Sequence, residues 1–165
     1  MSRNYIILFD QNTLHYRQSL YRYFRRRLSN HGYTLVVVYD INLSRINSSD
    51  GIFVGIDYSY QAFKKIINRY RPKTIIQFVW LKYKFLIPFM VWANFKKINI
   101  ILWSHGTNIN NKPGRLLKQL YHLRQRLSTA FILYTEDQEK YFIKSSDGRR
   151  FIARNTLNFI DFIIP

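Results

Sequence analysis

Short apolar runs rich in β-branched and aromatic residues alternate along the chain with longer stretches whose apolar positions recur every three or four residues. Runs of the first kind predict strands at residues 5–9, 33–39, 51–56, 74–79, 99–103, 130–134 and 150–153. The second kind predicts helices at 16–29, 60–71, 84–96, 114–127 and 136–143. Strand and helix alternate from one end to the other, the pattern of βαβ units. Runs such as Leu35 to Val38 show no polar alternation, as expected of strands covered by helices on both faces. The expected fold class is therefore α/β, a three-layer Rossmann-like domain with a mostly parallel sheet of about seven strands.

Turn chemistry punctuates these elements. Asn30 to Gly32 ends the first helix, Pro72 follows the second, and Thr135 with Gln138 three residues on makes a capping box for the last. Glu136 and Asp137 then fall in a first helical turn, where the dipole favours negative charge, so capping accounts for them without catalysis. No internal repeat, low-complexity tract or Gly/Ser linker interrupts the chain. Residues 1–154 read as one Rossmann-like domain. Residues 155–165, polar at first and then apolar from Phe159 to Pro165, read as the start of an interdomain linker whose partner segment or second domain would follow.

Composition narrows the setting. With 165 residues, 47% of them hydrophobic and 18% aromatic, the chain can bury a sizeable core. It has no cysteine, which excludes disulfides and thiolate metal sites and makes a reducing compartment, the cytoplasm, the expected home. The apolar run after Arg3 stops at Asp10, too soon for a secretory signal. The longest apolar stretch, 85–93, contains Pro88 and falls far short of the ~20 residues that cross a bilayer. Twenty-six Lys and Arg against nine Asp and Glu give a net charge of +17, which calls for an anionic partner, nucleic acid or anionic lipid.

Candidate chemistry gathers where strands give way to loops. Trp103-Ser104-His105-Gly106-Thr107-Asn108 follows the fifth strand, and ligands of open α/β sheets bind outside the carboxyl ends of strands. Gly106 lets backbone approach a ligand, while Ser104, His105, Thr107 and Asn108 can exchange hydrogen bonds with hydroxyls; the plain alternative is a turn glycine beside an exposed histidine. Asp10-Gln11-Asn12-Thr13-Leu14-His15 follows the first strand and leads into Arg17, so helix-start amides with Asn12, Thr13, His15 and Arg17 can hold a phosphate or a sugar hydroxyl. That loop has no glycine, which excludes the dinucleotide fingerprint and the P-loop, and an ordinary capped loop, with Asp10 bonded to neighbouring amides, explains it as well.

Two helices are basic. In 114–127 Leu116, Leu120, Leu123 and Leu127 form one stripe with Leu117 and Tyr121 beside it, while Arg115, Lys118, His122 and Arg126 line another face. The first helix interleaves Arg17, Arg22, Arg25, Arg26 and Arg27 with Tyr16, Tyr21, Tyr23 and Phe24. Both suit anionic headgroups, and 114–127 is also read as an ordinary sheet-covering helix with a solvated face. Basic and aromatic interleaving suits RNA as well, with Tyr21 or Tyr23 as stacking residues, although no RRM, KH or helix-turn-helix pattern is present. The helix at 84–96 is apolar all round, with Trp92 and Phe95 flanked by Lys84, Lys96 and Lys97, a pattern that fits burial between layers as well as interfacial insertion. Histidines 15, 31, 105 and 122 lack metal-ligand spacing, no nucleophile-elbow serine occurs and there are only two glutamates, so no metal site is expected.

The N-terminal strand, the His15-Tyr16-Arg17 helix start, the Ile101-Leu102-Trp103-Ser104-His105-Gly106 strand and loop, and a last strand leading to Asn155 together resemble the N-terminal, acceptor-side domain of family 4 glycosyltransferases of GT-B type. The glycine-rich turn usual after the first strand in that family is missing here. The resemblance implies one half of a two-domain retaining transferase, with the nucleotide sugar held by a C-terminal donor domain absent from this sequence and no cofactor bound by this half. It implies that His105 faces the transferred sugar as the catalytic-loop histidine and that Gly106 gives backbone access. It also implies a lipid-linked or cell-envelope glycan as acceptor, a place at the inner face of the membrane with Arg22, Arg25, Arg26, Arg115, Lys118, Arg124 and Arg126 on anionic lipid, and no turnover by this half alone. The alternative reading is a non-catalytic basic α/β domain that binds nucleic acid.

Overall fold

The computed structural model describes residues 4–13, 15–44, 46, 51–78, 83–104, 115–136 and 149–153. In chain order the elements are β1 (Asn4–Phe9), α1 (His15–Ser29), β2 (Tyr33–Asp40), β3 (Phe53–Ile56), α2 (Tyr60–Tyr70), β4 (Thr74–Phe78), α3 (Leu86–Phe95), β5 (Asn99–Ser104), α4 (Arg115–Arg126), β6 (Ala130–Leu133) and β7 (Arg149–Ile152). The strands form one seven-stranded parallel sheet in the order β3-β2-β1-β4-β5-β6-β7, flanked by the helices in a Rossmann-like α/β arrangement. After β1 the chain adds strands in one direction, to β2 and β3, and then returns to add β4 on the other side of β1. The order therefore reverses between β1 and β4, and in open α/β sheets the crevice at such a reversal is where ligands bind.

Two compact units make up the chain, Met1–Ile100 and Ile101–Pro165, with the division inside β5. The first has its core where β1, β2 and β4 meet the helices. Ile7, Leu8 and Phe9 of β1 and Leu35 to Val38 of β2 are buried without a polar break, as required of strands covered on both faces. Phe9 stacks on Phe63 of α2 at 4.0 Å between centroids and meets Phe89 of α3 edge-on at 5.9 Å, so α2 and α3 cover one face. Arg17 of α1 lies over Phe78 of β4 at 5.0 Å, on the opposite face. In the second unit β5, β6 and β7 pair in parallel, Leu102, Trp103, Phe131 and Leu133 are buried, and Tyr121 of α4 is buried with them. β7 is exposed along its whole length, Arg149 and Arg150 included.

Local chemistry sets the helix ends. Ser59 caps α2 by accepting a hydrogen bond from the Ala62 amide at 3.3 Å, one of the amides that a helix leaves without a partner. α2 closes on Arg71 in the left-handed region, φ 45°, with the Arg71 amide donating to the Ile67 carbonyl, and Pro72 prevents continuation. α1 closes through the amides of His31 and Gly32, which donate to the carbonyls of Leu28 and Ser29, with Gly32 at φ 77°.

Every strand predicted from the sequence is present, within a residue or two at each end. β3 starts at Phe53 and not at residue 51 because Gly51 has φ 65°, a turn conformation; Ile52 already meets the sheet, its carbonyl accepting from the Val37 amide at 2.7 Å. The helix predicted at 136–143 and the tail at 155–165 lie outside the described residues, apart from Glu136. In β3 a Cβ at Gly55 would stand 2.6 Å from Ile41 Cγ2 and 2.9 Å from the Tyr39 ring. Gly55→Ala is therefore expected to cost about 1 to 2 kcal/mol by overpacking, read as a lower urea midpoint with an unchanged m-value.

Candidate functional site

The carboxyl ends of β1, β2 and β4 carry buried polar side chains after strand centres that are apolar. Asp10, Gln11, Thr13, Asp40 and Gln77 are each at most 5% exposed. Burying polar atoms is unfavourable unless they are hydrogen-bonded, so a concentration of them at one edge needs a reason.

Asp10 follows β1 directly, and its amide continues the ladder by donating to the Val38 carbonyl. Its carboxylate accepts from the Tyr21 hydroxyl at 2.7 Å and from Arg17 Nη1 at 3.2 Å, an ion pair with Arg17. Burial pushes the Asp10 carboxyl above the usual carboxylate range, while the Tyr21 hydrogen bond and Arg17 pull it back. Thr13 Oγ1 donates to the Asp10 carbonyl, which closes the loop on itself. Asp40 ends β2, and its amide donates to the Gln11 carbonyl. One carboxylate oxygen accepts from the Asn42 amide at 2.9 Å and the Asn42 side chain at 3.1 Å, and the other accepts from the Tyr83 hydroxyl at 3.0 Å. Asn42 also donates to Asp57, and Ser44 donates to the Asn12 side-chain carbonyl across the gap between the two loops. The phenols of Tyr58 and Tyr83 are raised by burial first and by neighbouring negative charge next, so both remain hydroxyl donors at neutral pH.

Gln77 pairs in register with Phe9, which turns its side chain to the α2 and α3 face of the sheet. Its Oε1 is buried without a hydrogen-bond partner among the described residues. A buried amide oxygen in this state costs roughly 1–3 kcal/mol, which a donor from a ligand would recover. Three of the nine acidic residues, Asp10, Asp40 and Asp57, stand at this edge of a chain whose net charge is +17. The arrangement presents carboxylates, amides and phenols in fixed positions, the groups that exchange hydrogen bonds with neutral hydroxylated molecules.

The residues expected from the sequence divide into several groups. Asn12 and Thr13 belong to this cluster, and Arg17 reaches it from α1 through its pair with Asp10. Among the described residues, the Asp10 carboxylate is held by the side chains of Tyr21 and Arg17, which project onto it from α1. His15 opens α1, and Ser104 closes β5 in the second unit, leaving from the same end of its strands as Leu133 of β6. His105, Gly106, Thr107 and Asn108 lie outside the described residues.

Among the basic residues, Arg22 and Arg26 are exposed on α1 and Arg115, Lys118 and Arg126 on α4, while Arg25 is half-buried. Arg124 does not belong with them: it is 3% exposed, and burial pushes its guanidinium below the usual range. Of the expected apolar stripe of α4, Leu120 and Leu127 are half-buried and Leu123 is 40% exposed, while Tyr121 beside it is buried as expected and Arg124 and Gln125 are buried as well. Tyr21 is fully buried with its hydroxyl on Asp10, so it cannot stack on a base; Tyr23, 46% exposed, can.

Asp40, Gln77 and Tyr83 were not singled out by the sequence. Gln77 had a visible signal, a polar residue set inside the apolar run of 74–79, which marks a buried polar group in a covered strand. At the opposite, amino ends of β1, β2 and β4 there is a cavity of about 310 Å³ with a different lining, including Tyr5, Tyr33, Tyr70, Arg71 and Lys73. Compared with known proteins, the chain matches no family model and no curated sequence.

Proposed function

We propose that this chain is the acceptor-side half of a retaining glycosyltransferase, and that the edge formed by Asp10 to Thr13, Asp40 to Ser44 and Gln77 holds a sugar of its acceptor. The observation that carries the reading is the buried Gln77 carbonyl, without a hydrogen-bond partner among the described residues, on a strand that flanks the reversal of strand order, where the neighbouring strands end on the buried carboxylates Asp10 and Asp40. An acid at the end of the second strand, as Asp40 is, occupies the position that takes a ribose hydroxyl in dinucleotide folds. A dinucleotide also needs a glycine-rich turn and open amides for its diphosphate, and here the loop has no glycine and carries the buried Asp10 carboxylate. Neutral hydroxyls suit the site better than phosphate does. The nucleotide sugar of such an enzyme would be held by a further domain, and His105 and Gly106 keep the catalytic-loop role that the resemblance gives them. An anionic membrane surface, where a lipid-linked or envelope glycan is met, would attract so basic a chain at long range, the exposed arginines of α1 and the exposed basic residues of α4 included.

The test is chemical-shift mapping with methyl glycosides of glucose, galactose, mannose and N-acetylglucosamine. At least one is expected to move amide signals in Asp10 to Thr13, Asp40 to Ser44 and Gln77. Gln77→Ala and Asp40→Asn are each expected to weaken that binding about tenfold, the usual loss when a hydrogen bond to a charged or buried group is removed. Titrations that leave these segments unmoved, or RNA binding with a steep salt dependence at the same residues, would reject the proposal.

A further inference from the structure

Helix α3 is apolar on both sides. Leu86, Phe89, Met90 and Ala93 are buried against the first unit. The other face carries Pro88, Val91, Trp92 and Phe95, spaced three and four apart and so forming one stripe. Phe95 is 82% exposed and Val91 51%. Trp92 is half-buried against Phe89, but the exposed Val91 and Phe95 beside it cost solubility, so the stripe calls for an occupant.

Charge around the stripe says which. Lys64 of α2 lies with its ammonium 5.5 Å from the Trp92 ring centroid, Lys84 precedes the helix, and Lys96 and Lys97 follow it. No acidic residue occurs anywhere between Asp57 and Glu136. We infer that the outer face of α3 is a membrane-insertion surface, with Trp92, Val91 and Phe95 seated at the headgroup and acyl boundary of an anionic bilayer and the lysines on lipid phosphates. Tryptophan and phenylalanine on one helix face, with lysines at the rim, is the composition of helices that lie in the plane of an interface.

A second copy of the chain fits the surface less well. Four side chains offer on the order of 350 Å², against the ~800 Å² per partner of a stable complex, and both copies would bring the same lysines to the contact. RNA fits less well too, because Pro88 and Val91 offer a base neither a stacking plane nor a hydrogen bond. The inference concerns a different surface from the sugar site and is independent of what binds there.

The experiment is co-sedimentation of the full chain with vesicles of phosphatidylcholine alone and of phosphatidylcholine with phosphatidylglycerol in equal amounts. The wild type is expected to bind the second and not the first. Val91→Ser combined with Phe95→Ser, both at exposed positions, is expected to reduce partitioning at least about tenfold while leaving the unfolding transition in place. Acyl-brominated lipid is expected to quench tryptophan fluorescence in the wild type and to lose that quenching in Trp92→Phe. The inference is overturned by equal partitioning of wild type and double variant, by no binding to either vesicle, or by quenching that survives in Trp92→Phe. It is overturned equally by binding that depends on Arg22 and Arg26 but not on Phe95, by a dimer that the double variant dissociates without change in vesicle binding, or by RNA binding that requires Phe95. Sugar-induced shifts at Asp10 to Thr13 are read separately, so the failure of one proposal leaves the other standing.

Discussion

Asp10→Ala is expected to destabilise the protein by about 3 kcal/mol, because it removes the acceptor of a fully buried hydroxyl and the partner of a part-buried guanidinium in one step. Tyr21 has no exposed surface, so its hydroxyl cannot turn to water, whereas Arg17, 22% exposed at the side chain, can recover part of its loss from solvent. Asp10→Asn keeps an acceptor for Tyr21 and gives up only the charge, and it should cost less than half as much. Urea unfolding of the two variants checks the ordering; equal losses would mean that the charge, and not the buried hydroxyl, dominates. The pH dependence follows from the same burial. The folded state holds the Asp10 proton more tightly than the unfolded chain, whose carboxyl titrates near 3.8, so the contribution of this group to stability is fully present below that value and is lost as pH rises through the raised folded value. Asp10→Asn should remove that decline.

Phe63→Ala is expected to have the largest effect on the fold. Phe63 is fully buried and its ring meets Phe9 at 4.0 Å, Tyr58 at 4.8 Å, Phe89 at 5.0 Å and Phe85 at 5.2 Å, so it joins β1 to α2, α3 and the segments that precede them. Truncation loses the transfer free energy of the ring and leaves a cavity among side chains that are themselves held by ring contacts, about 3–5 kcal/mol. For a chain of this length that lowers the melting temperature by about 10 °C. Calorimetry measures it directly. A shift of only a degree or two would mean that the aromatic cluster collapses around the space. Because Tyr58 also contacts Phe63 and donates to the Val38 carbonyl, the polar edge is expected to loosen along with the core.

The fold was legible because its strands are covered. A run such as Leu35 to Val38, buried on both faces, has to be apolar throughout, so composition alone marks it. Helix faces were less legible. In α4 the spacing pointed inward at Tyr121, which is buried, and at Leu123, which is exposed, while Arg124 and Gln125 are buried, since long side chains can bury their stems where hydrophobicity counts do not expect them. The site was legible in part. The loop from Asp10 to Arg17 was found from its place after a strand, while Asp40 and Tyr83 are separated by 43 residues and meet only through the topology. No local pattern reports a contact of that kind.

The sheet's outer strands also bear on how the protein behaves in solution. Among the described residues the order ends on β7, whose backbone has a parallel neighbour on one side only and whose Phe151 is 54% exposed. Such a border invites addition of another chain, and Arg149 with Arg150 opposes it by bringing like charge to any incoming copy. The coulombic part of that protection shrinks with the screening length, from about 30 Å at 0.01 M salt to about 8 Å near physiological strength. Crowding by polyanions would neutralise it further, so keeping this molecule dispersed is a matter of ionic conditions more than of folding stability.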